Sequence, residues 1–248
     1  MPTGSLLQQP DPSLAIGSTD RVKALNLFQG YRGIHKGDRA FILGSGPSLK
    51  KIDSSAMGKL GDEYTFGLNL ILRADLPFTP SALVVMVSEW HWVRDRGIEW
   101  MMEELGRTGK PLPSSKFYAH LRPVPEMDAG GWRWVKAHEG QLMTEESFAG
   151  LGPSWRSAAF GYSVDMTAVQ IAAWMGFDPI YLVGVDATET GHAYSEDPVL
   201  DQRGEQSGHH ASAKIAHHVL RSHGRTLLDL SPSGLLPIPK SSLSEVLG

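Results

Sequence analysis

Residues 39–49 read Arg-Ala-Phe-Ile-Leu-Gly-Ser-Gly-Pro-Ser-Leu, and the fold follows from how that run divides. Ala40 to Leu43 is a short apolar run with the character of a buried strand. It ends abruptly in Gly44-Ser45-Gly46-Pro47-Ser48. Glycines at 44 and 46 permit a sharp turn and a close approach to a ligand, since no Cβ intervenes. Pro47 suits the first turn of a helix, where its missing N–H costs nothing. Ser45 and Ser48 offer hydroxyls, and exposed N–H groups at a helix start favour an anion such as phosphate. Together these features predict a nucleotide-binding first unit. The run lacks the full G-x-G-x-x-G fingerprint and the Gly-Lys-Ser/Thr of a P-loop. A plain strand-to-helix glycine turn is therefore the competing reading.

Outward from this turn, apolar runs alternate with helical patterns. Residues 64–69 end a second strand at Asn69, and residues 81–87 are an unbroken apolar run ending at Ser88-Glu89. A Trp-rich helix is expected over 90–106 and a strand over 116–121. Residues 162–174 predict an amphipathic helix between Gly161 and Gly176. Pro179 to Asp186 is the clearest strand, again ending in a carboxylate. A helix over 211–223 and a last strand over 225–230 complete the series. This alternation predicts an α/β, Rossmann-like open, mainly parallel sheet with helices on both faces. A single domain over 19–248 is expected, after a disordered arm at 1–18, with 122–160 and 187–209 as long loops or a lid. Ligands in such sheets bind at the carboxyl ends of the strands. Residues 44–48, Asn69, Ser88, Glu89 and Asp186 all fall there.

Composition narrows the class. The chain has 248 residues, 41% of them hydrophobic and 20% charged, as in an ordinary globular protein. A net charge of −4 argues against a general nucleic-acid coat or an anionic-membrane binder. Absence of cysteine excludes disulfides and thiolate chemistry. No apolar run reaches the roughly 18 residues of a membrane span, and the N-terminus lacks a secretory pattern. A cytoplasmic protein is the expectation, and a homo-oligomer is compatible with it.

The order of motifs resembles the DUF115 family. The resemblance rests on residues 43–49 (Leu-Gly-Ser-Gly-Pro-Ser-Leu), 66–69 (Phe-Gly-Leu-Asn), Ser88-Glu89, and the block running from Gly161-Tyr162-Ser163-Val164 through residues 179–186. That family includes the archaeal 6-hydroxymethylpterin diphosphokinases (MptE-like proteins) and is similar to the bacterial sialyltransferases of glycosyltransferase family 42. The resemblance implies a Rossmann-like nucleotide site in which Gly44, Ser45, Gly46, Pro47 and Ser48 hold the phosphate or ribose and Asn69 hydrogen-bonds nearby. Ser88, Glu89, Ser163, Asp186 and Tyr194 complete the expected substrate and nucleotide contacts. It also implies that His209, in the Gly208-His209 pair, is the general base. The sialyltransferases carry Asn where Ser45 stands, and Tyr194 lies in the loop that holds their leaving-group tyrosines.

The resemblance, weighed with the chemistry of the residue types, implies three readings. Histidine titrates near neutrality, so His209 can take a proton from an acceptor hydroxyl. Glycosyl transfer from a CMP- or UDP-linked sugar to a small-molecule or glycan acceptor is the first reading. Diphosphate transfer from ATP to a hydroxymethylpterin-like alcohol is the second, with Glu89 and Asp186 holding magnesium. A nucleotide-binding module without catalysis is the third. In structural terms, Glu89 and Asp186 are equally consistent with helix starts and turn caps. His192, His209 and His210 with Asp186 are the one other metal constellation, but no H-x-x-x-H or H-E-x-x-H spacing supports zinc. His210, His217, His218 and His223 are expected on the exposed side of their helix. Trp132, Trp134 and Trp155 are either a ring platform or core anchors.

Overall fold

The computed structural model describes residues 28–86, 97–121, 123–137, 143–155, 157–187, 192–193 and 203–248. Seven strands form one sheet: β1 (Ala40–Leu43), β2 (Tyr64–Leu68), β3 (Ala82–Met86), β4 (Ser115–His120), β5 (Arg133–Lys136), β6 (Ile180–Val183) and β7 (Leu227–Asp229). Their order is β5-β4-β3-β2-β1-β6-β7, and every pairing is parallel. The chain is thus an α/β Rossmann-like fold, as its alternating pattern predicts. The order reverses beside β1: β2 to β5 extend on one side, β6 and β7 on the other. The carboxyl ends of β1 and β6 therefore flank the topological switch point, where such sheets bind ligands.

Period-two alternation splits each strand between two cores. Ala40, Ile42, Phe66, Val84, Phe117, Ile180 and Leu182 point to one face, and Phe41, Leu43, Leu83, Val85, Tyr118, Tyr181 and Val183 to the other. Short helices α1 (Ser54–Lys59), α2 (Gly97–Arg107), α3 (Pro125–Ala129) and α6 (Leu243–Leu247) cover the second face. The first face carries α4 (Val164–Met175) and α5 (Arg203–Ser222).

Helix α4 is the crossover from the sheet's edge strand β5 back to β6, and it packs across β1, β2, β3 and β6. All twelve of its residues are buried. It is not the amphipathic surface helix that the spacing predicts, because a second layer of chain covers its outer side. Gln170 holds that layer in place. Its Oε1 accepts from Ala149 N (3.0 Å) and Ala159 N (3.2 Å), and its Nε2 donates to Ala159 O (2.8 Å) and Met166 O (3.0 Å). Gly150 has no Cβ because one would stand 2.6 Å from the Cβ of Ala173.

Two loop expectations are corrected in part. Inside 122–160 lie α3 and the edge strand β5. Trp132, Trp134 and Trp155 are core anchors, each at most 4% exposed. Trp134 Nε1 donates to His120 O (2.9 Å), and Trp155 meets Phe28 edge-on at 4.6 Å. The second correction is that residues 203–209 are the opening turns of α5 rather than loop. Gly204 and Gly208 weaken the helical signal there, and tertiary packing restores it. The arm expected at 1–18 lies outside the described residues. Among the described residues no helix is long and apolar enough to cross a membrane.

Replacing Gln170 with Met keeps the volume but strands three backbone groups outside α4. The expected loss is about 2–4 kcal/mol, read as a lower urea midpoint at unchanged denaturant slope.

Candidate functional site

The turn after β1 is bound to the end of β6 at every step. Gly44 N donates to Val183 O (2.8 Å), Gly46 N to Gly184 O (2.8 Å), and Ser48 N to the Asp186 Oδ2 (2.7 Å). A Cβ on Gly44 would stand 2.5 Å from Gly184 O, and one on Gly46 would stand 2.7 Å from the Asp186 carboxylate. Neither glycine has positive φ. Their missing side chains serve the close approach of two strand ends, not a tight left-handed turn.

This corrects the expectation of a cradle of open N–H groups. Pro47 opens a 3-10 turn, Pro47–Lys51, and has no N–H. The two donors that follow are committed, Ser48 N to Asp186 and Leu49 N to Gly46 O. The carboxylate of Asp186 thus sits where an external anion would be expected, favoured by the same N-terminal dipole. Ser48 is fully buried, and among the described residues its Oγ has no partner, as is true of Asp186 Oδ1. What the turn presents outward is Ser45. Its Oγ lies 3.1 Å from His192 Nδ1, and its carbonyl accepts from Ala193 N (2.7 Å). Burial and then the charge of Arg73 hold His192 below the ordinary histidine pKa, so it is neutral at pH 7.

Asn69 stands one strand away, at the end of β2. Its backbone is left-handed, φ +46°, a conformation asparagine tolerates. Its N donates to Val84 O (2.9 Å) and its Oδ1 accepts from Met86 N (3.0 Å), which leaves the carboxamide NH2 as donor.

The second group of residues gathers where α4 and α5 begin. Crossover helices run antiparallel to their strands, so both starts lie on the same edge as the β1 turn. His209 Nε2 and Asp165 Oδ2 are 2.8 Å apart, with His209 8% and Asp165 1% exposed. Two glycines permit this contact. A Cβ on Gly208 would collide with the Tyr162 ring, and one on Gly161 would stand 2.7 Å from the Cβ of Met166 and 3.2 Å from that of Ser212. Gly161 and Tyr162 are both left-handed, at φ +59° and +63°, which turns the chain into α4. For tyrosine that conformation is strained.

Burial opposes protonation of His209, but the Asp165 carboxylate outweighs it and holds the imidazole above its ordinary pKa. Burial likewise opposes the Asp165 charge, while His209 and then the Ser163 hydroxyl hold the carboxyl below its usual range. The two directions agree on an ion pair below the raised His209 value; above it the imidazole is neutral and can accept a proton. His209 is therefore a buried, paired histidine inside α5. Helix α5 is tied to the β6 edge by Gln206 Nε2, which donates to Ala187 O (2.6 Å). Ala187 is a third left-handed non-glycine residue, φ +51°. Strain at Asn69, Tyr162 and Ala187 thus collects along one edge of the sheet, where sites rather than scaffolds store it.

Gly44, Ser45, Gly46, Pro47, Ser48 and Asp186 form one cluster, Ser163 and His209 another, and Asn69 stands beside the first. Ser88, Glu89 and Tyr194 lie outside the described residues. His210 and His217 are half-buried rather than exposed, whereas His218 and His223 face solvent. Among the described residues no three His, Asp or Glu side chains gather as metal ligands. Sequence reasoning missed Asp165. The signal was there: Asp165 is the one charged residue in its helix, and a carboxylate must find a partner once buried.

No protein-family model and no curated protein matches the chain. Among solved structures, it is similar to the MAf glycosyltransferase from Magnetospirillum magneticum AMB-1. The TM-score is 0.55 at 16% identity, over 90% of this chain and 38% of that one. The chain thus spans well under half the length of that neighbour. It is also similar to the sialyltransferase CstII from Campylobacter jejuni, solved in complex with a substrate analogue, cytidine-5′-monophosphate. There the TM-score is 0.50 at 16% identity, over 84% of this chain and 86% of that one. Such distant likeness establishes the fold that glycosyltransferases share with this chain.

The Asp165–His209 pair gives a pH window with two edges. Because the His209 pKa is raised, its contribution to stability is full below the unfolded histidine value and is lost as pH rises through the folded one. Because the Asp165 pKa is lowered, its contribution is full above the unfolded carboxylate value and is lost as pH falls through the folded one. Urea midpoints measured against pH will therefore fall at both edges in the wild type. The same curve will be flatter in His209→Asn.

Proposed function

We propose that the chain is a nucleotide-dependent transferase that moves a sugar from a CMP- or UDP-linked donor to an acceptor hydroxyl, with His209 as general base. The observation that carries this reading is the shared placement of two groups. A built turn at the topological switch point and a buried histidine–carboxylate pair at the starts of α4 and α5 lie on one edge of the sheet. Open parallel sheets bind ligands at this switch point, so in this reading the nucleotide lies at the turn and the reacting hydroxyl falls towards the helix starts. The glycosyltransferase folds of the two solved neighbours, one holding cytidine-5′-monophosphate, support the same choice.

In this reading the Ser45 hydroxyl and the Asn69 NH2 contact the ribose. Because Asp186 already fills the helix start, the turn favours neutral hydroxyls over a phosphate. Ser163, and on the sequence resemblance Ser88, Glu89 and Tyr194, complete the binding edge. As the acceptor oxygen bonds to the sugar's anomeric carbon, its proton passes to His209. The bond from that carbon to the donor phosphate oxygen breaks, and the nucleotide departs with the electron pair. Positioned base catalysis of this kind contributes roughly 10²–10⁴ in rate. The ATP–magnesium alternative needs Asp186 as a ligand. With Oδ2 committed to Ser48 N and the residue 5% exposed, Asp186 favours the turn-holding role instead.

Thermal melting with CMP, UDP and ATP, each with and without magnesium, tests the proposal, since a ligand of the native state raises its stability. A magnesium-independent rise with CMP or UDP is expected. His209→Asn is expected to keep that rise while transfer falls at least ~10²-fold. A shift confined to ATP with magnesium, or none with any nucleotide, contradicts the proposal.

A further inference from the structure

Resting on this reading of the site, we infer that Asp165 is a positioning residue that fixes the tautomer of His209, so that Nδ1 and not Nε2 is the nitrogen that accepts the substrate proton. The contact is direct, His209 Nε2 to Asp165 Oδ2 at 2.8 Å, with both residues buried. A carboxylate with 1% exposure is tolerable only if a partner compensates its charge. A carboxylate accepts and cannot donate, so Nε2 must carry the hydrogen. A neutral imidazole has one N–H, and its lone pair is then on Nδ1.

The backbone enforces this arrangement. Asp165 is in the first turn of α4, which enters through the left-handed pair Gly161 and Tyr162. The Tyr162 ring lies against Gly208, one residue before His209. Side chain and ring together leave the imidazole facing the carboxylate through Nε2. On proton transfer the acceptor O–H bond breaks, the N–H bond forms at Nδ1, and Asp165 remains ionised beside the imidazolium. The groups that act on His209 are Asp165 and, through it, Ser163 from the start of α4, while His210 stands next to it on its own helix. Burial and the charge of His209 keep His210 below the ordinary histidine pKa, with Lys214 adding to that effect.

Long-range ¹H–¹⁵N spectra of the full chain, labelled at histidine and recorded against pH, test the inference without needing a substrate. His209→Gln assigns the signal. The expected result is an Nε2–H tautomer for neutral His209 and a midpoint above the ordinary ~6.5. Asp165→Asn is expected to weaken proton binding at His209 at least tenfold. An Nδ1–H tautomer in the wild type, or an unchanged midpoint in Asp165→Asn, overturns the assignment. The wild-type tautomer decides the question even if Asp165→Asn does not fold. Failure of every nucleotide to bind would remove the transferase reading but leave the tautomer result standing, so the two failures are distinguishable. Once a donor is known, Asp165→Asn should lower kcat and shift its acid limb downward while donor KM stays within about twofold. That split separates positioning from binding.

Discussion

A single buried bond, from Ser48 N to the Asp186 carboxylate across 138 residues of sequence, fixes how the ends of β1 and β6 meet. It joins the segments that follow the two strands between which the strand order reverses, and the rest of the edge is arranged around it. Gly44 and Gly46 are bare so that these strand ends can touch. The C-terminal segment follows the same strand: Val185 N donates to Ser231 Oγ (2.9 Å) and Leu235 N to Asp186 O (2.9 Å). On the proposed reading, a turn held this way needs little reorganisation to take a nucleotide, which reduces the ordering cost of binding. It also gives the site a particular chemistry, because an internal anion already occupies the helix start. Hydroxyl and amide groups remain to face a ligand.

Helix α4 links that edge to the body of the protein. Buried on all sides, it carries Asp165 near its start and Gln170 at its middle, and each has a separate task. Gln170 satisfies backbone groups of the covering layer, so a segment with little regular structure is packed as core. Asp165 compensates a buried histidine on the neighbouring helix. Buried polar groups of this kind are costly when unpaired and rigidifying when paired. The strained backbones of Asn69, Tyr162 and Ala187 occupy the same end of the molecule. Order in the body and strain at the edge are the pattern expected where a scaffold presents a site.

Much of the fold is legible in the sequence because buried parallel strands are plain apolar runs. The runs at 40–43, 81–87 and 179–186 each contain an observed strand, and their polar ends mark the carboxyl edge. Strand β5 is harder to read because Arg133 and Lys136 flank only two buried residues, Trp134 and Val135, at the sheet's edge. The start of α5 is obscured by Gly204 and Gly208, although Gly208 is needed for the Tyr162 ring. Of the site, the glycine turn and His209 stand out by residue type and position. Asp186 also shows as the carboxylate that ends its strand, but its bond to the turn does not, nor does Asp165 facing His209, since both are long-range contacts that no local spacing encodes. The assumption that glycines near a strand end face a ligand also misleads here, because at 44 and 46 they face another strand.

The functional account rests on one spatial claim: a nucleotide lies across the carboxyl ends of β1, β2 and β6, with its leaving side towards His209. The glycosyltransferase neighbours share the sheet that makes this geometry available. A crystal structure of the protein soaked with CMP, and in parallel with UDP, tests the claim most directly. The account predicts nucleotide density over residues 44–48 with the ribose within hydrogen-bond reach of Ser45 and Asn69, and Asp186 still bonded to Ser48 N. Nucleotide bound elsewhere on the molecule, or a phosphate seated at the start of the 3-10 turn in place of Asp186, would contradict it.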